Sequence, residues 1–204
     1  MKKLYFTQKG FTLIEVIVVT TLFTILMLVI MNSIASLYRA NAYTISQSYQ
    51  IFNARRAVQT MARDVREMTF ADDGTFPLAR MEDHLIGFYS DIDRDDSVEY
   101  VEYELATTTI LTKRVYDAGT GTPAYDTTTA DATFILSEYM QNSNQATSTF
   151  YYFDTNGDPA SATTSVVDIR FIQMQAIINV DPVRDPGQFM LRAGAALRNV
   201  LDNV

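Results

Sequence analysis

The sequence predicts an α+β chain, one long N-terminal helix followed by an antiparallel, β-rich domain. Three observations carry this. Residues 11–31 form an apolar run interrupted only by Glu15 and by Thr12, Thr20, Thr21 and Thr24. From Tyr38 to Met68, apolar side chains recur at steps of three and four, with no Gly or Pro to stop a helix. Beyond Asp72-Asp73-Gly74 and Pro77 the pattern changes to short alternating runs separated by Gly, Pro, Asn and Asp, as strands and turns require.

The first ten residues carry Lys2, Lys3 and Lys9, no acid, and end in Gly10. They read as a leader and are set aside from the fold. The apolar run 11–31, at about 1.5 Å per residue, makes a helix of roughly 31 Å, enough to cross the hydrocarbon core of a bilayer. Glu15 is its only charge. A carboxylate at the centre of such a helix costs about 2.5–3.5 kcal/mol on insertion, less near the interface. A charge there calls for a partner.

Gly10-Phe11-Thr12-Leu13-Ile14-Glu15, after a short basic leader and before a long apolar helix, resembles the processing site of type IV prepilins and of type II secretion pseudopilins. The resemblance implies cleavage between Gly10 and Phe11 by a prepilin peptidase, N-methylation of Phe11, and assembly with other pilin or pseudopilin subunits into a filament. It makes Glu15 the fifth residue of the mature chain, the acid that in this family is thought to neutralise the terminal ammonium of a neighbouring subunit. Two other readings account for less. A secretory signal peptide cut at Ala40-Asn41-Ala42 would have a shorter apolar region, of about 7–15 residues, without an internal acid. An unprocessed signal anchor explains the length of the run but neither Gly10 nor Glu15.

After the span, Tyr38, Ala42, Ile45, Tyr49 and Phe52, then Val58, Met61, Val65 and Met68, form one apolar stripe, with Arg39, Gln47, Gln50, Arg55, Arg63 and Arg66 largely on other faces. A single helix over about 12–68 is predicted, its second half packing on the domain. The register shifts at Asn53-Ala54-Arg55-Arg56-Ala57, where Arg55 and Arg56 read as a solvated face. Strands are predicted at 85–90, 98–105, 109–116, 133–139, 149–153, 166–180 and 188–197. The Asp154–Asp158 segment, with Asn156-Gly157, predicts a tight hairpin. A broader turn falls at 181–187, and surface loops at 118–132 and 141–147. The resulting organisation is a leader (1–10), a membrane or filament-core half of the helix (11–31), an amphipathic half (32–70) and a β-rich domain (71–204).

The most suggestive polar cluster is 91–102. Asp91, Asp93 and Asp95 fall at the first, third and fifth positions of a calcium loop, and four Asp within six residues repel one another unless a cation intervenes. Asp96 replaces the Gly of such loops, and a strand through Glu102 carries that carboxylate too far away to close the site. An acidic hairpin turn is therefore the main expectation, and calcium on Asp91, Asp93 and Asp95 the alternative; no other cofactor is expected. The single histidine, His84, has no Cys near it and reads as a loop residue. No phosphate-binding loop, dinucleotide motif, zinc-protease motif or nucleophile elbow is present, so the chain is not expected to be an enzyme.

With 204 residues, 48% hydrophobic, the chain can build a real core, and with no cysteine that core has no disulfide support. Formal net charge is −8, and removing the three lysines of the leader takes it to −11. Such a surface disfavours nucleic acid, whose binding relies on Lys and Arg. Within the family, Phe88-Tyr89-Ser90-Asp91-Ile92-Asp93, Phe150-Tyr151-Tyr152-Phe153-Asp154 and Ala196-Leu197-Arg198-Asn199 resemble minor subunits of the J-type or PilW-like group, while Glu15 argues against the K-type tip subunits. The expectation is a minor subunit inserted in the cytoplasmic membrane with its domain exported, then built into a type IV pilus or secretion pseudopilus near the tip. A filament-displayed adhesin or DNA-uptake receptor, or an unprocessed membrane-anchored protein, are the alternatives.

Overall fold

The computed structural model describes residues 10–95, 97–106, 109–119, 125–160, 164–183 and 187–197. The chain divides into two compact units, Met1–Ile45 and Ser46–Val204. One helix, α1, runs Leu13–Arg66 through both. It ends at Glu67-Met68 in a turn, and Gly74, at φ +82°, supplies the left-handed residue that helps the chain reverse. The leader residues Lys2, Lys3 and Lys9, together with Asp96, Arg184–Pro186, Arg198 and Asn199 and part of the 118–132 loop, lie outside the described residues.

In the second unit two antiparallel sheets form. The first holds β1 (Leu78–Met81), β2 (Leu85–Ser90), β3 (Glu99–Ala106), β4 (Ile110–Tyr116) and β5 (Ala132–Ser137) in chain order. The second holds β6 (Phe150–Asp154), β7 (Ile169–Ile178) and β8 (Phe189–Ala196). The end of α1 from Ala54, with Met68 in the turn after it, shares one core with both: Met61, Val65 and Met68 are buried with Phe88 and Tyr103 of the first sheet and Ile172 and Met174 of the second. The α+β class and the antiparallel pairing thus hold, and the expected strands appear. β1 was not anticipated; it is four residues long, too short to show a period.

Two local expectations are corrected and two are narrowed. The apolar stripe does not stay on one buried face: Tyr38, Ile45, Tyr49 and Phe52 are exposed, while Gln47 and Gln50 are buried. From Gln47 the buried positions run through Gln50, Ala54, Ala57, Met61, Val65 and Met68, so the apolar and buried stripes differ up to Phe52 and coincide from Val58 on. The reason is hydrogen bonding. Beyond the end of β7, Gln47 donates to the Ile178 carbonyl at 3.4 Å and accepts from the Val180 N–H at 2.9 Å, doing work no apolar side chain could do.

Second, 141–147 is a surface loop only in part: Asn144–Ala146 are exposed, but Gln141 and Asn142 are buried. Asn142 is fully buried; its amide donates to the carbonyls of Ser148 and Gln175 and accepts from the Ile177 N–H, and a 3-10 turn follows at Ser143–Gln145. Third, the tight turn at 154–158 forms as expected, with Phe153 bridged antiparallel to Pro159, but its returning arm is that bridge and not β7. Asp154 accepts from the N–H groups of Asn156 and Asp158, Gly157 adopts φ +83°, and the chain then continues through a 3-10 turn at Val166–Asp168. Fourth, β3 is buried on both faces rather than half-buried. Glu102, 4% exposed, is held by Arg80 at 2.8 Å and Arg114 at 3.0 Å.

The sheet is tied to the helix by a charge inside the core. Asp64 of α1, 1% exposed, meets Lys113 Nζ of β4 at 2.5 Å and the Tyr103 hydroxyl of β3 at 2.7 Å, while the exposed Arg63 reaches its other oxygen at 3.3 Å. Both sheets also share one packing device. Gly87 of β2 faces Glu102, and the ring of Tyr100, two residues back, lies over it; Gly194 of β8 faces Gln173, and the ring of Phe171, again two back, lies over it. A Cβ would sit 2.8 Å from Tyr100 Cζ in the first case and 2.9 Å from Phe171 Cε1 in the second.

Lys113→Met leaves Asp64 buried with only the exposed Arg63 as a cation and should lower stability by about 3 kcal/mol in urea unfolding, whereas Asp64→Leu with Lys113→Met should recover most of the loss. Alkali gives a second expectation. Burial raises the phenols of Tyr103 and Tyr152, and raises those of Tyr100 and Tyr125 to about 12, from an ordinary value of 10.0. Between those values the folded state keeps protons that the unfolded state releases, so their contribution is complete below pH 10 and is lost as pH rises toward 12. Tyrosinate absorbance and circular dichroism should therefore change together in that window.

Candidate processing and assembly site

The N-terminal unit presents Gly10 and Phe11 in irregular, exposed chain ahead of α1, with the Phe11 ring 88% exposed. The helix then opens with a reciprocal cap. Glu15 Oε2 accepts from the Thr12 N–H at 2.9 Å and from the Thr12 hydroxyl at 2.8 Å, while Thr12 Oγ1 accepts from the Glu15 N–H at 3.3 Å. Thr12 is the N-cap and Glu15 the third helical residue, so two orphan N–H groups of the first turn are satisfied by two side chains. The positive end of the helix dipole adds to this. The carboxylate is thus brought to Thr12. The sequence signal for the cap is Thr12-x-x-Glu15 directly before an apolar run, a pattern that a reading centred on processing passes over.

Downstream, the threonines that interrupt the run hide their hydroxyls in the helix. Thr20 Oγ1 donates to the Val16 carbonyl at 2.9 Å, Thr21 to Ile17 at 2.8 Å and Thr24 to Thr20 at 2.8 Å; Ser33 repeats the bond to Val29 at 2.9 Å. Each polar group on the span therefore has an acceptor without leaving the helix. By length and composition α1 is long and apolar enough to cross a membrane, with mean hydropathy 2.7 over its most apolar window.

The acidic turn between β2 and β3 lies in the second unit. Carboxylate oxygens of Asp91, Asp93, Asp95 and Glu99 come within 4.8 Å of one another. Glu99 joins the cluster, and Glu102, facing its two arginines, does not. The turn is stitched by its own bonds: Asp91 accepts from the Arg94 N–H at 2.6 Å, Asp95 from the Ser97 N–H and hydroxyl at 2.9 and 2.7 Å, and Glu99 from the Ile92 N–H at 2.8 Å. Arg94 takes a positive φ of 65°. Burial raises the Glu99 carboxyl above its ordinary value, while the bonds from Ser97 lower that of Asp95. His84 sits apart, its Nδ1 3.0 Å from the Thr149 hydroxyl. Arg55 and Arg56 are exposed, as expected.

A family model described as the prokaryotic N-terminal methylation motif matches residues 6–31. No curated protein and no solved structure matches the chain. The motif supports a type IV pilin-like precursor. Together with the apolar helix near the N-terminus it fits a membrane-anchored single-pass protein.

Replacing Thr12 by Val removes both hydroxyl bonds of the cap and should destabilise the first turn by about 0.5–2 kcal/mol. Faster amide exchange at residues 13–16, with no change in the second unit, is the expected result for the chain in detergent micelles.

Proposed function

We propose that the chain is a minor pilin or pseudopilin subunit, cleaved between Gly10 and Phe11 by a prepilin peptidase, N-methylated on Phe11 and assembled into a type IV pilus or type II secretion pseudopilus near its tip. The observation that carries this is Gly10-Phe11-Thr12-Leu13-Ile14-Glu15 at the mouth of a membrane-length helix, with its acid five residues past the cut. The exposed, irregular backbone at Gly10-Phe11 leaves room for a protease. Glu15 then has two successive partners. Before assembly its carboxylate is occupied by the Thr12 cap; in the filament it faces the terminal ammonium of Phe11 of a neighbouring subunit. An ion pair in apolar surroundings is far better than either charge alone, so docking is favoured where ammonium and carboxylate meet.

Intact mass and N-terminal sequence of the chain from a host with a prepilin peptidase test the processing step. A start at methylated Phe11 is expected, and a start at Met1 or at Tyr43 ends the proposal. Gly10→Val should leave the chain uncut. Glu15→Ala should still be cut but should fall out of purified filaments by at least tenfold, the loss of a buried charge partner being worth several kcal/mol.

A second reading concerns calcium. We infer that Asp91, Asp93 and Asp95, with Glu99 in place of the distant Glu102, offer calcium an oxygen site of extracellular strength, with a dissociation constant on the order of 10⁻⁴–10⁻³ M. The convergence of four carboxylates supports it. Millimolar calcium should raise the melting temperature of the wild type and not that of Asp93→Asn with Asp95→Asn; equal behaviour of the two ends the reading.

A further inference from the structure

The two sheets leave four strand edges among the described residues; two are covered by other chain and a third, β8, is interrupted by a charge and a glycine. β1 has four residues, includes Arg80 and lies beside the 3-10 turn Val166–Asp168. β6 is met by the returning chain: Phe153 bridges to Pro159, and the Ala160 N–H donates to the Tyr152 carbonyl. β8 carries Arg192, bound to Gln175, and its Gly194 carbonyl accepts from Arg66. β5 is different. Ala132-Thr133-Phe134-Ile135-Leu136-Ser137 has no charge, Pro or Gly, and among the described residues it makes no backbone hydrogen bond beyond its ladder with β4. Phe134 and Ile135 are 51% and 64% exposed. The ladder with β4 is regular from Ala132 to Ile135 and bulges at Leu136. An open, uncharged edge such as 132–135 is a template for another strand.

Beside it lies a groove of about 650 Å³, between β5 and the outer face of α1. Phe134 is directly opposite Lys113, whose ammonium points at Asp64 on the helix, so Phe134 belongs to the helix-facing side of the sheet, where it lines the groove. The opposite wall is Tyr49, Arg56 and Arg63, seven residues apart on one helix face. Arg63 shares Asp64, but no carboxylate among the described residues lies within ion-pair distance of Arg56. Glu138, just past β5, also lines the groove and accepts from the Gln50 amide at 3.5 Å, so two arginines face one carboxylate there. On a chain of net charge −8 the groove is thus an apolar site with a local excess of positive charge, centred on Arg56.

We propose that β5 is an interaction edge that takes up an extended, acidic segment of a partner protein as a sixth strand. A helix seated in the groove would leave the β5 N–H and carbonyl groups without partners; a strand supplies both. Alternation along the strand would then set one row of side chains over Phe134 and opposite Arg56 and Arg63, a row that suits carboxylates mixed with β-branched residues. A second copy of β5 fits less well, since residues 132–137 hold no acid to face the two arginines.

The test uses the full chain in detergent micelles and a fluorescein-labelled eleven-residue peptide alternating Glu with Val and Thr. Saturable anisotropy is expected, with slowed amide exchange at 132–137 and no binding of the same peptide with Lys for Glu. Arg56→Glu, on an exposed helix face where folding is not at issue, should weaken binding about tenfold or more, equivalent to roughly 1.4 kcal/mol. Ile135→Glu should do the same from the strand side. Unchanged exchange at 132–137 under saturating peptide, equal binding of the acidic and basic peptides, or protection of 132–137 that rises with protein concentration alone (a second copy) would each overturn the proposal.

Discussion

A carboxylate in the core decides how the second unit fits together. Asp64 occupies a buried position on α1 where an apolar residue would otherwise stand, and it is tolerated because Lys113, Tyr103 and Arg63 converge on it. Such a pair is weak evidence for stability, since removing both charges for well-packed apolar groups is often neutral. Its strength is in what it forbids. Lys113 must point at the helix, so β4 cannot slip by one residue without turning the ammonium to the opposite face of the sheet. Through the register of β4 the same contact places Phe134 of β5 and Tyr103 of β3 on the helix side.

The chain's local physics is read more easily than its accounts between distant residues. The helix is legible because 54 residues without Gly or Pro leave no stopping point before Arg66, and the apolar run fixes which part is membrane-length. β3, β4 and β7 are legible from alternation and β-branched or aromatic content. What the sequence hides is polar burial. Gln47, Gln50 and Asn142 look like solvent residues, yet two of them are inside because strand ends and bends leave backbone groups that need exactly such partners, and no one-dimensional pattern records those needs. The assignment of Tyr49 and Phe52 to the core failed for the matching reason: the helix turns its glutamines inward and leaves those rings outside. At the candidate site, Gly10, Phe11 and Glu15 are read directly, whereas the replacement of Glu102 by Glu99 depends on where β3 begins, which periodicity gives only to within a few residues.

The paired glycines show how one rule serves two separate sheets. In each, an aromatic ring reaches diagonally across a ladder and covers backbone that lacks a side chain. Tyr100 at that position also contacts Tyr89 and Tyr116 at ring-centroid distances of 5.4 and 5.6 Å, so the outer face of the first sheet carries a row of phenols, while the face packed on α1 mixes Ile86, Val101, Leu105 and Leu111 with the stacked rings of Phe88 and Tyr103. The phenol row lets this sheet have a partly polar outer surface without leaving its backbone open to water.

The back-bonded threonines of the span have a bearing on movement between environments. A hydroxyl already bonded to its own helix neither seeks a partner in a protein bundle nor loses one in lipid. Thr20, Thr21 and Thr24 therefore add almost no preference for one surrounding over the other, and the segment behaves, apart from Glu15, as a solute with nearly equal solubility in bilayer and in packed helices. In the proposed assembly, transfer from membrane to polymer would then be controlled at a single position, the carboxylate at its mouth, and the remaining twenty residues of the run would contribute little preference either way.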